Sequence, residues 1–362
     1  MATVLKKFSE NNKPVGVIGA GRFGIAIANI LAENRDVILF SRRQEVVDSI
    51  LSTREHKGQK IHERIKPVIR ENEITDFCTL IFPIIPSANF REMIRLFSPH
   101  LTPAHILIHG TKGLDIKLSG GKTFTRKDAF ISEEIVLTKE TVRTMTEVIA
   151  EETSVVRTGC ISGPNLVGEI AAHQPTATVV ASRFDEVIRE GQKALRSSRF
   201  KVFGTHDVLG VELAGVLKNV MAIASGILSG LGYGENARAM LITRGLAEMT
   251  FIATQLGAQK SAFFGLSGIG DMIATCSSKM SRNFSVGFRL AQGEKLDTIL
   301  NSMNEVAEGL NTLKVAKGLV DYYKIRAPIS QTLFKIIYKD MTVEEGMKYL
   351  MEFPFNVDVD FI

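Results

Sequence analysis

Cysteine is scarce: Cys78, Cys160 and Cys276 are the only three in 362 residues. They are far apart and make no CxxC pair and no Cys/His ligand spacing. Neither a disulfide framework nor a thiolate metal site is therefore expected, and reduced thiols in a cytoplasmic protein are. The start, MATVLKKFSENNKP, has two lysines but no apolar stretch behind them, so no secretory leader is expected. No run of five or more basic residues occurs, so the net charge of +5 is not gathered into a nucleic-acid-binding segment. Mild basicity suits small anionic substrates equally well. Internal repeats and low-complexity linkers are missing too.

What remains is an ordinary globular composition, 45% hydrophobic and 23% charged, with length enough for two domains. Short apolar runs at 15–20, 36–41, 79–84, 105–110, 154–162, 176–182 and 200–204 read as strands. Several are continuous Val/Ile/Leu, as in strands buried on both faces of a parallel sheet, and helical segments lie between the early ones. From about residue 207 strand signals vanish and helical patterns run to about 350. The expected fold is α/β: a doubly wound, Rossmann-like domain over 1–205, then an all-α domain over 206–362. The polar segment 116–137, with Gly120-Gly121, reads as a loop or small hairpin, and the tail after Pro354 as surface chain.

VGVIGAGRFGIAIANILAEN is a strand, a GxGxxG turn and a helix. Gly19 permits the tight turn, Gly21 lets the backbone approach a pyrophosphate, and Gly24 lets helix and strand pack closely. The helix N-terminus adds free N–H groups and the positive end of its dipole. A dinucleotide is the expected ligand. An NAD-binding chain usually has an acid at the end of its second strand. Here that position reads Ser41, Arg42, Arg43, which suits a 2′-phosphate and favours NADP over NAD.

The longest apolar run, Val208 to Leu231, contains Glu212, Lys218 and Asn219. A membrane span is disfavoured, because each central charge costs roughly 2.5–3.5 kcal/mol. Apolar residues all round the helical wheel indicate a buried core helix. Lysine is almost never fully buried without a partner, so Lys218 either snorkels to the surface or serves a site that needs its charge.

With the turn and the lysine both in view, the chain resembles the NAD(P)-dependent glycerol-3-phosphate dehydrogenases. The match covers about 15–40 and most of 75–345, through HGTKGLD, ISGPN, GVELAGVLKNVMAIASGI, GYGENARAMLITRGLAEM, GLSGIGDMIATCSSKMSRN and VAEGLNT in that order. The resemblance implies reversible reduction of dihydroxyacetone phosphate to sn-glycerol 3-phosphate, supplying the phospholipid backbone, in a cytoplasmic homodimer. It implies Lys218 as proton donor and acceptor, with Lys112 and Asp271 beside it. It places Lys112, Gly163, Asn165, Asn219, Thr275, Ser281, Arg282 and Asn283 at the substrate. Arg22, Phe23, Lys112, Val167, Arg282, Val306 and Glu308 join Gly19, Gly21, Gly24, Ser41, Arg42 and Arg43 at the cofactor. Departures are local. Phe23 stands where many members have tryptophan, and Asn165 where bacterial members have Ser or Thr. The 116–137 segment is long, and 50–75 lacks the family's NxxYLP pattern.

The residues support that chemistry on their own terms. Ketone reduction needs hydride, a proton for the developing alkoxide, and a grip on the rest of the substrate. Burial lowers a lysine pKa and a carboxylate raises it again, so Lys218 beside Asp271 could both give and take a proton. The turn GLSGIGD is expected to bring Asp271 toward Lys218, and Arg282 can hold a phosphate bidentately. Folding is thus expected to gather Lys218, Asp271 and Arg282 in one cleft beside the nicotinamide. Competing readings are a keto-acid reductase of similar architecture, whose carboxylate Arg282 could equally hold, and a non-catalytic dinucleotide sensor. At single residues the alternatives are Asp271 as a helix cap, and Lys112, Arg282 and Glu308 as solvated charges. His109 and His206 are expected to pack or turn rather than react.

Overall fold

The computed structural model describes residues 13–117, 136–303 and 307–354. The chain forms two compact units. One comprises the residues up to Thr111 with Met145–Ile161 and Val167–His206; the other comprises Lys112–Thr144, Ser162–Leu166 and the chain from Asp207 onward.

The first unit is built on eight strands: β1 (Val15–Ile18), β2 (Val37–Phe40), β3 (Ile65–Val68), β4 (Leu80–Pro83), β5 (Ile106–His109), β6 (Arg157–Ser162), β7 (Thr176–Ser182) and β8 (Phe200–Thr205). Their order is β8-β7-β6-β5-β4-β1-β2-β3. The ladders β1–β2, β1–β4, β2–β3, β4–β5, β5–β6 and β7–β8 are parallel. Successive side chains alternate between two apolar cores. Val15, Val17, Val37, Leu39, Leu80, Phe82, Ile106 and Ile108 face one; Ile18, Ile38, Phe40, Ile81 and Leu107 face the other. Both faces are covered, and that is why these strands read as unbroken apolar runs. The helices of this unit are α1 (Arg22–Ala32), α2 (Gln44–Thr53), α3 (Asn72–Thr75), α4 (Phe90–Phe97), α5 (Met145–Glu152), α6 (Val167–Ala171) and α7 (Asp185–Leu195).

Every expected strand is present, and the eight-stranded sheet has one more that was not expected. β3 reads IKPV and carries Pro67, which removes a ladder donor and argues against a strand in sequence. It is tolerated because β3 lies at the sheet edge, where one side needs no partner. Glu55–His56 also pairs antiparallel with Gln59–Lys60 in the segment that departs from the family pattern.

The second unit is helical: α8 (Val208–Gly230), α9 (Glu235–Gln255), α10 (Asp271–Ser277), α11 (Arg282–Ala291), α12 (Leu296–Ser302), α13 (Glu308–Tyr323), α14 (Pro328–Tyr338) and α15 (Val343–Glu352). α8 is its core, and 89% of its most apolar 18-residue window is buried inside the protein. The expected division at 205/206 needs one correction. Segments 112–144 and 162–166 group with the helices. The reason is packing: Ile116, Leu137 and Val142 belong to the helical unit's apolar core, and Leu137 lies against Gly318 of α13. Asp115–Ile116 pairs antiparallel with Val142–Arg143. Most of the 116–137 segment between them, like the tail beyond Pro354, falls outside the described residues.

α8 and α11 touch backbone to backbone. A Cβ on Gly287 would stand 1.9 Å from the Ile223 carbonyl oxygen, and one on Gly226 2.0 Å from that of Phe284. Only glycine permits this approach. It carries the start of α11 to the middle of α8, where Lys218 lies.

Candidate active site

In the first unit, the glycine turn has the stereochemistry its sequence demands. Gly19 has φ +115°, and a Cβ there would stand 2.3 Å from the Ile84 carbonyl oxygen. A Cβ on Gly24 would stand 1.9 Å from the Gly19 carbonyl oxygen, so α1 packs directly on the turn. Gly21 differs: no protein atom lies within 4 Å of where its Cβ would be. Its lack of a side chain relieves no internal crowding, and that fits a backbone kept bare for a phosphate. Gly21 is also the N-cap of α1. Arg22 is exposed, while Phe23 is half-buried against the sheet core and Gly110. Ser41 is buried beyond β2, and its hydroxyl accepts from the Arg43 N–H at 3.3 Å. Arg42 and Arg43 are largely exposed, with Glu92 at 3.2 Å and Glu45 at 3.7 Å respectively. Val167 opens α6 and packs on the same core.

In the second unit, the lysine of the apolar run is buried, with 5% of its surface exposed. Its ammonium donates to Asp271 Oδ1 at 2.7 Å and to the Thr275 hydroxyl. Asp271 is itself buried, and its other oxygen accepts from Lys112 Nζ at 2.6 Å. Lys112 also donates to the Gly163 carbonyl at 3.2 Å, and Thr275 Oγ1 donates to the Asp271 carbonyl at 2.6 Å. One carboxylate thus joins two ammoniums. Burial pushes the Lys218 pKa down, the Asp271 charge pushes it back up, and the Lys112 charge lowers it; the result is about 8.

Asp271 is brought there by the glycine-rich turn. Leu266–Gly270 forms a π-helical turn leading into α10, with Gly268 pressed on the Phe263 backbone. The N-cap of α10 is Gly270, and Asp271 spends its carboxylate on the lysines rather than on a cap.

A second set of polar groups adjoins the first through residue 219. Asn283 Nδ2 donates to Asn219 Oδ1 at 2.9 Å, and Asn283 Oδ1 accepts the Gly309 N–H at 2.9 Å. The three residues belong to α8, α11 and α13. Ser281 is the N-cap of α11, its hydroxyl accepting from the Phe284 N–H at 3.3 Å, and Arg282 is the exposed first residue of that helix. Glu308 opens α13. Asn165 is half-buried in the 162–166 segment. Val306 lies outside the described residues.

Sequence reasoning did not single out Gly215 or Ser162. A Cβ on Gly215 would stand 2.7 Å from Ser162 Oγ and 3.7 Å from Lys112 Cγ. Gly215 therefore lets the Lys112 segment close on α8 one turn before Lys218; the only sequence signal is a glycine three residues upstream of the lysine. Glu248 is another buried carboxylate, raised to about 7 chiefly by burial. It caps α14, accepting from Ile329 N–H at 2.5 Å and Ser330 N–H at 3.1 Å. The histidines pack: His109 meets the Phe90 ring edge-on and Thr146, and His206 meets Asp185 on the surface. All three cysteines are buried, and none is in a disulfide.

Comparison with known proteins shows the family. Residues 14–188 match the model of the NAD-dependent glycerol-3-phosphate dehydrogenase N-terminus, and 207–348 that of its C-terminus. A glycerol-3-phosphate dehydrogenase [NAD(P)+] of Pseudomonas aeruginosa (strain LESB58) is 40% identical over 355 residues, covering 97% of each chain. The crystal structure of glycerol-3-phosphate dehydrogenase from Coxiella burnetii superposes with a TM-score of 0.81 at 30% identity, covering 94% of this chain and 99% of that one. The enzyme from Saccharomyces cerevisiae, at 20% identity, covers 94% of this chain and 100% of its own with a TM-score of 0.79, a likeness of fold.

Proposed function

The chain belongs to the NAD-dependent glycerol-3-phosphate dehydrogenase family, and we propose that it reduces dihydroxyacetone phosphate to sn-glycerol 3-phosphate, reversibly, with NADPH or NADH. The observation that carries this reading is the Lys218–Asp271–Lys112 cluster, in which a buried ammonium is tuned to about 8 where an apolar helix has no structural need of one.

The bare face at Gly21 fits a dinucleotide pyrophosphate, and the nicotinamide, when bound, supplies the hydride for C2 of the substrate. The chain's own residues do the rest. Lys218 gives a proton to the ketone oxygen as C2 gains its hydrogen, and takes one from the hydroxyl in the reverse direction. Before transfer its positive charge stabilises the oxygen's developing negative charge. Asp271 holds Lys218 and Lys112 at fixed positions, and Thr275 fixes the remaining direction of the Lys218 ammonium. Arg282, with Ser281, Asn219 and Asn283 near it on α8 and α11, grips the phosphate; Gly163 and Asn165 line the substrate through the Lys112 contact. Val167, Val306 and Glu308 serve the cofactor. Arg42 and Arg43 select NADP through its 2′-phosphate, since the exposed carboxylates now beside them hold them only weakly. The product has the skeleton of a glycerophospholipid, and the enzyme supplies it in the cytoplasm as a homodimer.

The test is an initial-rate assay with dihydroxyacetone phosphate, run with NADPH and with NADH beside 2-keto acids. Turnover of the phosphate and not of the keto acids is expected. Lys218→Met should cost roughly 10²–10⁴-fold in kcat, the usual weight of one general acid. Preference for a keto acid, or an unimpaired Lys218→Met, would sink the reading.

A further inference from the structure

The segment between α2 and β3 carries polar groups that the proposed reaction leaves idle. Glu55–His56 and Gln59–Lys60 form a hairpin whose tip, Lys57-Gly58, is left-handed at both positions, with φ +51° and +74°. Glu55 pairs with Lys60 and His56 with Gln59, so His56 and Gln59 share one face. That face lies on the start of α1, where Gln59 Nε2 donates to the Arg22 carbonyl at 2.8 Å. Further along α1, Asn29 Nδ2 donates to the Lys60 carbonyl at 2.8 Å. Arg54 ties the base of the hairpin to the His62 and Ile65 carbonyls, which lead into β3. The hairpin is thus fixed beside the glycine turn.

Two atoms of that shared face, His56 Nε2 and Gln59 Oε1, are enclosed and have no hydrogen-bond partner among the described residues. Folded proteins leave few buried polar atoms unpaired, so this face has bonding capacity for a polar ligand. The charges give the ligand its sign. Burial and the positive charges of Lys57 and Arg43 hold the His56 pKa below its ordinary value. Cations of the hairpin and of the turn after β2 therefore converge on one place. In a doubly wound sheet the adenosine ribose lies there, between the glycine turn and the end of the second strand. We propose that His56 and Lys57 form a second cationic arm for the 2′-phosphate of NADP, meeting it together with Arg42 and Arg43. The inference rests on the NADP reading of those two arginines, and its residues come from the segment in which this chain departs from the family pattern.

Isothermal titration calorimetry of the whole chain with 2′,5′-ADP and with ADP isolates the 2′-phosphate without any turnover. Lys57→Asn removes the charge and suits the left-handed tip; His56→Ala removes the imidazole. Arg42 and Arg43 stay in place in both, so their contribution is constant. Each variant should bind 2′,5′-ADP roughly three- to tenfold more weakly, a charge-assisted contact weakened by solvent, while its affinity for ADP stays near wild type. The double variant should lose more than either, and Lys57→Glu more than Lys57→Asn. Lys57 is exposed at the tip, so Lys57→Asn tests the arm even where His56→Ala loosens the hairpin, which thermal melts reveal. Unchanged 2′,5′-ADP affinity in the double variant overturns the proposal. So does an equal loss for both nucleotides in Lys57→Asn, which places the hairpin's effect on the part they share. A wild-type chain that binds 2′,5′-ADP no tighter than ADP overturns instead the NADP reading beneath it, a failure visible before any variant is made.

Discussion

Burial and Asp271 act on the Lys218 ammonium in opposite directions, and the balance near 8 predicts a direction-dependent pH profile for a reaction in which Lys218 carries the proton. Reduction needs the protonated amine, so its kcat should be full below about 8 and fall as pH rises through that value. Oxidation of glycerol 3-phosphate needs the neutral amine and should rise over the same interval. Rates in both directions from pH 6 to 10 check this; two flat profiles, or two that move together, would remove Lys218 as the proton carrier. Part of this was legible in the sequence. An ammonium inside an apolar run demands a partner, and the glycine-rich approach to Asp271 marked one 53 residues away. The hydrogen bonds that join Asn219, Asn283 and Gly309 were not legible, because one of their groups is a backbone N–H, which leaves no mark in side-chain types.

Close contacts between elements place these groups. The contact of α8 with α11 rests on Gly226 and Gly287, and a methyl on Gly287 would stand 1.9 Å from a carbonyl that cannot rotate away. Alanine is the better helix former by up to about 1 kcal/mol, so Gly287→Ala in a free helix would stabilise. Here overpacking should win, destabilising by about 1–3 kcal/mol and lowering kcat/KM as the start of α11 shifts along α8. Denaturant melts with parallel kinetics measure both; a more stable, fully active variant would contradict the contact. Element type was well read from unbroken apolar runs and helical patterns, since the sheet buries both faces and its strands announce themselves. β3 escaped because Pro67 normally breaks a strand, and only its place at the sheet edge, a tertiary fact, excuses it.

Over the whole molecule, two units of unlike architecture carry different groups of candidate site residues. The sheet unit bears the glycine turn and the arginines after β2; the helical unit bears Lys218, Asp271 and Lys112. Under the proposed reading, the choice between NADP and NAD falls to Arg42 and Arg43, which have no share in proton transfer. Replacing Arg42 and Arg43 together with alanine should raise KM for NADPH tenfold or more, about one charge-assisted contact, while leaving KM for NADH and the pH profile nearly unchanged. An equal loss for both cofactors would place the arginines elsewhere in the chemistry. Unit membership was only partly legible: the change of character at His206–Asp207 is plain in composition, but the capture of 112–144 and 162–166 by the helices depends on contacts distant in sequence.

Two ammoniums share one carboxylate at Asp271. When both lysines are protonated, the trio carries one surplus positive charge in a poorly hydrated place. An incoming oxyanion settles that surplus whether or not it can react. Sulfate, inorganic phosphate and similar buffer ions are therefore natural impostors at this position, and the choice of assay buffer will colour every apparent affinity measured for this enzyme.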